Sequence, residues 1–200
     1  MDPATTHEPD WMRRMPDGAR QAMARGEHPA DPRRVGALVA VVGGVVFGFA
    51  NGDGELSAGL LVALRAAIAV LAVGCIVLLF VRRRAMGPPA TPRRLAGLAY
   101  AASVLAMLAA IALGRAALEA LGAAHAGPSW IAVCVGLHFL PFAWAFRERM
   151  LVRLGLAVAA VGAVGTVAGV LAGQPWGSAA AIAAGVVQLV TVAVWAARGR

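Results

Sequence analysis

Six apolar stretches, each about twenty residues long and broken only by short polar gaps, run from Val35 to Ala197. A bilayer core about 30 Å thick needs about 20 helical residues to cross it. The pattern therefore predicts spans at Val35–Asn51, Leu56–Val81, Leu95–Leu118, Trp130–Phe146, Leu151–Leu171 and Trp176–Ala197. The first and fourth are the shortest, so they are expected to stand upright or borrow flanking residues. The fold class that follows is all-α: a polytopic membrane protein whose six transmembrane helices form three hairpins across residues 35–197. A polar tail, residues 1–34, precedes them, and residues 198–200 end the chain.

The polar gaps alternate in charge. Arg25, Arg33 and Arg34 precede the first span, and the next gap, Asn51-Gly-Asp-Gly-Glu55, has no positive residue. Arg82, Arg83, Arg84, Arg93 and Arg94 fill the second gap; the third has only Arg115, at a helix end. Arg147, Arg149 and Arg153 mark the fourth, Gly173–Gly177 is uncharged, and Arg198 and Arg200 close the chain. Positive residues collect on the cytoplasmic side, so both termini are expected there. Trp130, Trp176 and Trp195 fall near span ends, where aromatic belts sit. The tail carries Pro3, Pro9, Pro16, Pro29 and Pro32 and lacks the apolar centre of a secretory signal. It is expected to be retained, cytoplasmic and loosely structured, with Trp11, Met12 and Met15 available to the membrane surface. Pro16 and Gly18 interrupt any long amphipathic helix there.

Composition sharpens this picture. The chain is 60% hydrophobic and 14% charged, and all 18 of its basic residues are arginine. Arginine in place of lysine, with abundant Ala and Gly, points to a bacterial protein, and the topology to the inner (cytoplasmic) membrane. A net charge of +8 would suit nucleic acid, but the arginines flank apolar runs and no nucleic-acid module is visible. The expected partners are the lipid bilayer, with anionic headgroups at Arg82, Arg83, Arg84, Arg93 and Arg94, and a second copy or another membrane protein. Cys75 and Cys134 should differ in depth by roughly 20 Å, too far for a disulfide.

Close helix packing is expected at Gly44-x-x-x-Gly48 and Gly165-x-x-x-Gly169, with Gly155, Ala159 and Gly162 adding small positions, because backbones approach where no Cβ intervenes. Internal packing and homodimerisation both use such ridges. The outer turns Gly54-Glu-Leu-Ser57, Gly127-Pro-Ser-Trp130 and Gly173-Gln-Pro-Trp176 look alike and raise the idea of a triplicated hairpin.

Polar groups in hydrocarbon need a reason. Arg65 stands nine residues into the second span. Either it snorkels outward and ties helices together, or it contacts an anionic substrate in an outward-facing cavity. Glu119, at the outer end of the third span, is its expected partner, with Arg115 competing one turn away. His138 lies near mid-membrane beside Pro141, which frees the Leu137 carbonyl; the imidazole is a candidate proton relay, ligand contact or helix tie. Gln188, at similar depth, is its expected partner. Serine and zinc protease motifs, a P-loop and Cys-x-x-Cys are all absent from the sequence. No catalytic residue, cofactor or metal site is assigned.

The segment Val135-Gly-Leu-His-Phe-Leu-Pro-Phe-Ala-Trp-Ala-Phe146 resembles a segment of a family of small six-span bacterial integral membrane proteins with no assigned activity. The resemblance implies the same fold and draws attention to His138. The first functional expectation is a non-enzymatic, membrane-embedded interaction or stress-linked component. The alternative is a small-molecule transporter, or the membrane substrate-binding subunit of one, with Arg65, Glu119, His138 and Gln188 around one cavity. Reporter fusions in the Arg82–Arg94 linker and in the Gly173–Gly177 turn are expected to report opposite sides of the membrane. A common side for both would overturn the topology.

Overall fold

The computed structural model describes residues 14–198. Trp11, Met12 and Arg200 lie outside the described residues. Among the described residues, the regular structure is helical: α1 (Asp17–Arg25), α2 (Pro32–Phe49), α3 (Ala58–Ile76), α4 (Ala96–Ala120), α5 (Gly127–Phe146), α6 (Arg149–Ala172) and α7 (Trp176–Arg198). A single π turn, Val77–Val81, extends α3, and a 3-10 turn, Ala124–Ala126, leads into α5. All six helices from α2 to α7, with these extensions, are long and apolar enough to cross a membrane.

Most predicted boundaries agree with the observed ones to within three residues, and the two short spans gain their length by borrowing. Span one starts at Pro32 rather than Val35, because Asp31 caps the helix by accepting from the Arg33 amide at 2.9 Å. Proline then occupies the first helical turn, where no amide donor is missed. The fourth span begins at Ala124, six residues before Trp130, since Gly127-Pro128 opens a helix instead of forming a turn. The tail also holds more structure than its prolines suggest: α1 starts directly after Pro16, ends at Gly26 in the left-handed region, and buries Met23.

The triplicated hairpin finds no support at its second turn. Gly54 and Gly173 take φ of 78° each, whereas Gly127 is helical at φ −53°. In that hairpin Gly122, at φ 68°, makes the turn.

Packing runs both across and within the hairpins. The most extensive interface joins α5 to α6, followed by α6 with α7. Helix α7 is central: it also touches α2, α3 and α5, and 44% of its most apolar stretch is buried. Helix α4 is peripheral, with 11% of its stretch buried, and among the spans it packs chiefly on α5.

Glycines set these approaches. A Cβ on Gly155 would lie 2.6 Å from the Gly136 carbonyl oxygen, and one on Gly136 would meet the Gly155 oxygen at 2.7 Å and the Ala159 backbone. Gly162 comes equally close to the Ser129 and Val133 backbones. The four glycines marked in the sequence all face neighbours within the chain: Gly44 faces Leu189 and Gly185 of α7, and Gly48 faces Ile68 of α3. Gly165 faces Ala180 and Ser129, and Gly169 faces Ala126. Internal packing therefore accounts for both Gly-x-x-x-Gly pairs.

Gly136→Val is expected to destabilise the purified protein by about 1–3 kcal/mol, the usual range for overpacking. Gly97→Ala, where a Cβ would meet nothing within 4 Å, should leave stability unchanged or slightly raised. Thermal unfolding in detergent measures both; equal destabilisation would show that the α5–α6 contact is not critical.

Candidate functional site

The polar residues of the spans are explained first by helix ends. The last four carbonyls of an α-helix have no partner within the helix, and that end carries the negative pole of the helix dipole. Four of the spanning helices meet this need with a cationic or imidazole side chain from another element.

Arg34, in the first turn of α2, is only 2% exposed. Its guanidinium donates to the carbonyl of Leu79 in the π turn, to that of Gly26 at 2.7 Å and to that of Arg84 at 2.8 Å. One side chain thus closes the C-terminal ends of α1 and α3 and fixes the start of the linker. Arg33 pairs with the fully buried Asp31 at 2.8 Å and donates to Met86 O (3.1 Å) and Gly87 O (2.6 Å). The Gly87 amide in turn donates to the Arg25 carbonyl. The arginines that signal topology in the sequence therefore also form a buried knot joining α1, α2, α3 and the linker.

Arg65 performs the reciprocal task at the opposite end of the same hairpin. It donates to the carbonyl of Phe49, the last residue of α2, at 2.9 Å and to Asp53 at 2.7 Å. Its guanidinium also lies 5.8 Å from the centre of the Phe49 ring. This is the outward-snorkelling arrangement of the two considered for Arg65.

Glu119 is not its partner. That carboxylate lies 3.8 Å from Arg115 on the same helix, both side chains exposed. The α3 and α4 helices make no substantial contact, whereas the 51–57 turn brings Asp53 directly over Arg65. A contact across one tight hairpin wins over one between separate hairpins.

Two more helix ends are closed in the same way. Arg93 donates through Nε to the Trp144 carbonyl at 3.1 Å, and its amide bonds Ala145 O at 2.9 Å, at the end of α5. Its guanidinium lies 4.6 Å from the centre of the Trp144 ring, in cation–π contact. His125 Nε2 sits 2.8 Å from the Gly169 carbonyl in the last turn of α6.

His138 and Gln188 also go separate ways. His138 Nδ1 is 2.6 Å from the Val135 carbonyl, one turn back on its own helix, so Nδ1 carries the proton in this arrangement. The ring lies against Phe139 and Phe142, with centroids 4.5 and 4.9 Å away. The carbonyl of His138 itself, not the freed Leu137 carbonyl, receives the Ser103 hydroxyl of α4 at 3.1 Å. Gln188, 1% exposed, donates from α7 to the Ala40 carbonyl of α2 at 2.7 Å and sits over Gly43, where a Cβ would meet its Nε2 at 2.8 Å. Its Oε1 has no hydrogen-bond partner among the described residues. The absent Cβ at Gly43 admits the amide to α2, which is why equal depth does not make it a partner for His138.

Among the described residues, then, Arg65, Glu119, His138 and Gln188 stand on four helices and none bonds another. Cys75 and Cys134 are both buried free thiols, and Cys75 donates to Leu189 O at 3.3 Å. No three His, Cys, Asp or Glu side chains among the described residues come together as a metal site would require.

The residues that sequence reasoning missed as structural ties are Asp31, Arg33, Arg34 and His125. Asp31-Pro32 is a readable start signal, an N-cap followed by proline at the first helical position, and it places both arginines inside the helix. Nothing local marks His125. Two shallow clefts lie on the arginine-rich side. One, about 340 Å³, is bounded by Ala24, Arg25, Ala85, Gly87 and Pro88. The other, about 360 Å³, lies where the ends of α5 and α6 meet the linker. Comparison with protein-family models, with curated proteins and with solved structures finds no match for the chain.

Arg34→Leu is expected to destabilise by about 2–4 kcal/mol: three carbonyls lose charge-assisted hydrogen bonds of about 1.5–3 kcal/mol each, offset in part because the buried guanidinium no longer has to be desolvated. A double-mutant cycle on Arg65→Gln and Asp53→Asn should show a coupling of about 0.5 kcal/mol, the size of a solvent-accessible pair. The cycle on Arg65→Gln and Glu119→Gln should show none. Coupling to Glu119 in place of Asp53 would refute the hairpin pairing.

Proposed function

We propose that the protein is a non-enzymatic component of a bacterial cytoplasmic membrane that works by lateral contact with another membrane protein through α4. The observation that carries this reading is the uneven use of side chains. Arg34, Arg65, Arg93, His125 and Gln188 are engaged with backbone carbonyls of this same chain. Helix α4 contributes little to the bundle and presents Leu98, Leu105 and Leu113 outward. Their spacing of seven and eight residues keeps them near one face of the helix. In lipid an apolar helix face has no hydrophobic reason to leave the acyl chains, so association there relies on packing.

The transport alternative needs Arg65, Glu119, His138 and Gln188 around a common cavity. The feature that favours it is the unpartnered Oε1 of Gln188, a buried acceptor in the middle of α7.

A photo-crosslinking residue at Leu105 or Leu113, expressed in the native membrane, is expected to give one discrete adduct with another membrane protein. The same probe at Val39 or Val62, exposed on α2 and α3, should give none. Adducts from every position alike, or none from α4, would defeat the proposal; an adduct of twice the chain mass would assign the surface to self-association instead. In parallel, a ligand screen by thermal stabilisation separates the two readings, because a ligand well above its dissociation constant raises stability by several kcal/mol. Stabilisation lost in Gln188→Leu would place transport ahead.

A further inference from the structure

The cleft of about 360 Å³ at the arginine-rich end of α5 and α6 is lined by Arg93, Ala143, Trp144, Arg147, Glu148, Arg149 and Val152. Three guanidinium groups here face one carboxylate. That carboxylate is already engaged: Glu148 caps α6 by accepting from the Met150 amide at 3.1 Å. Arg93, which lines the cleft, is oriented by its Nε bond to Trp144 O and by the indole ring beneath it. The Arg147 and Arg149 side chains make no hydrogen bond or ion pair with the described residues. The cleft therefore sets three guanidinium groups against one carboxylate and is net positive.

Backbone strain marks the same place. Arg147 takes φ 55° at the end of α5, a left-handed position that helices usually give to glycine. Arginine there sacrifices backbone comfort and sets a charged side chain at the cleft mouth. Such outliers cluster where a site is formed.

The surroundings define the occupant. Below the cations, Trp144, Pro141 and Leu137 are exposed along one face of α5, at helical spacings of three and four residues. On α6, Val152 and Leu156 are exposed beside them. A cationic rim with an apolar track running from it toward the membrane centre matches a headgroup phosphate followed by acyl chains. A freely diffusing anion would have no use for the track.

We propose that this cleft is a binding site for one anionic phospholipid of the cytoplasmic leaflet. Its phosphate is held by Arg93, Arg147 and Arg149, and an acyl chain lies along Leu137, Pro141 and Val152. Guanidinium forks suit phosphate oxygens, and basic pockets at the cytoplasmic ends of transmembrane helices select such headgroups. The inference rests on the reading that six spans place these arginines at the cytoplasmic surface. It moves the specific contact from the five linker arginines to a cleft that shares only Arg93 with them.

The test titrates the purified full chain in neutral detergent with phosphatidylglycerol, phosphatidylcholine and inorganic phosphate, reading bound lipid by native mass spectrometry. Phosphatidylglycerol is expected to bind preferentially, and Arg147→Gly and Arg149→Gln should each weaken it roughly tenfold. Arg82→Gln and Arg83→Gln remove the same charge from the same side and should each change it less than about twofold. Arg147→Gly also relieves the left-handed strain, so its melting temperature should not fall, which separates lost binding from lost folding. Equal weakening by the linker variants, equal binding of phosphatidylcholine, or inorganic phosphate binding as tightly as the lipid would each overturn the proposal. None of these outcomes bears on whether α4 carries a protein partner, which the crosslinking decides separately.

Discussion

A helix in lipid satisfies its own backbone everywhere except at its ends, where the last turn of carbonyls needs donors from elsewhere. This constraint organises the polar side chains of the protein. Arg34 closes α3 from the start of α2, and Arg65 closes α2 from within α3. The first hairpin is thus fastened at both ends by arginines working in opposite directions. Arg93 and His125 repeat the device on α5 and α6. Each guanidinium meets the negative pole of a helix dipole, so the contact is electrostatically favourable as well as geometrically complete.

Between those ends the bundle is held by proximity of backbones. Gly136, Gly155 and Gly162 let α5 and α6 approach until carbonyls and amides of one helix face the Cα atoms of the other. Gly44 and Gly185 do the same for α2 against α7. Dispersion over such surfaces, rather than water exclusion, is the force available in a membrane. Helix α7 benefits from four neighbours and carries the buried Gln188, whose bond to Ala40 ties it to α2. Helix α4 packs on α5 alone among the spans to any extent and stays at the edge.

The proposed function rests on the division between engaged and free groups. Side chains that could have lined a cavity are occupied with their own chain, while a cluster of arginines at the α5–α6 turn and an apolar helix at the periphery are left over. Both leftovers face outward. On the proposed reading, these two features are where lipid and a neighbouring membrane protein make contact.

The order and length of the six spans were legible in the sequence, because hydrocarbon demands long apolar runs and leaves little choice of secondary structure. The Gly-x-x-x-Gly pairs were legible for the same reason, since close approach requires particular residues at particular spacings. Partner choice was not. Arg65 and Glu119 look matched by depth and charge, yet the chain turn at 51–57 supplies Asp53 first; His138 and Gln188 share a depth but face different helices. Depth is one coordinate, set by position along the chain. The rotation of each helix and the identity of its neighbours are fixed only when six helices pack together, and a local pattern carries no record of which carbonyl will stand opposite a given side chain.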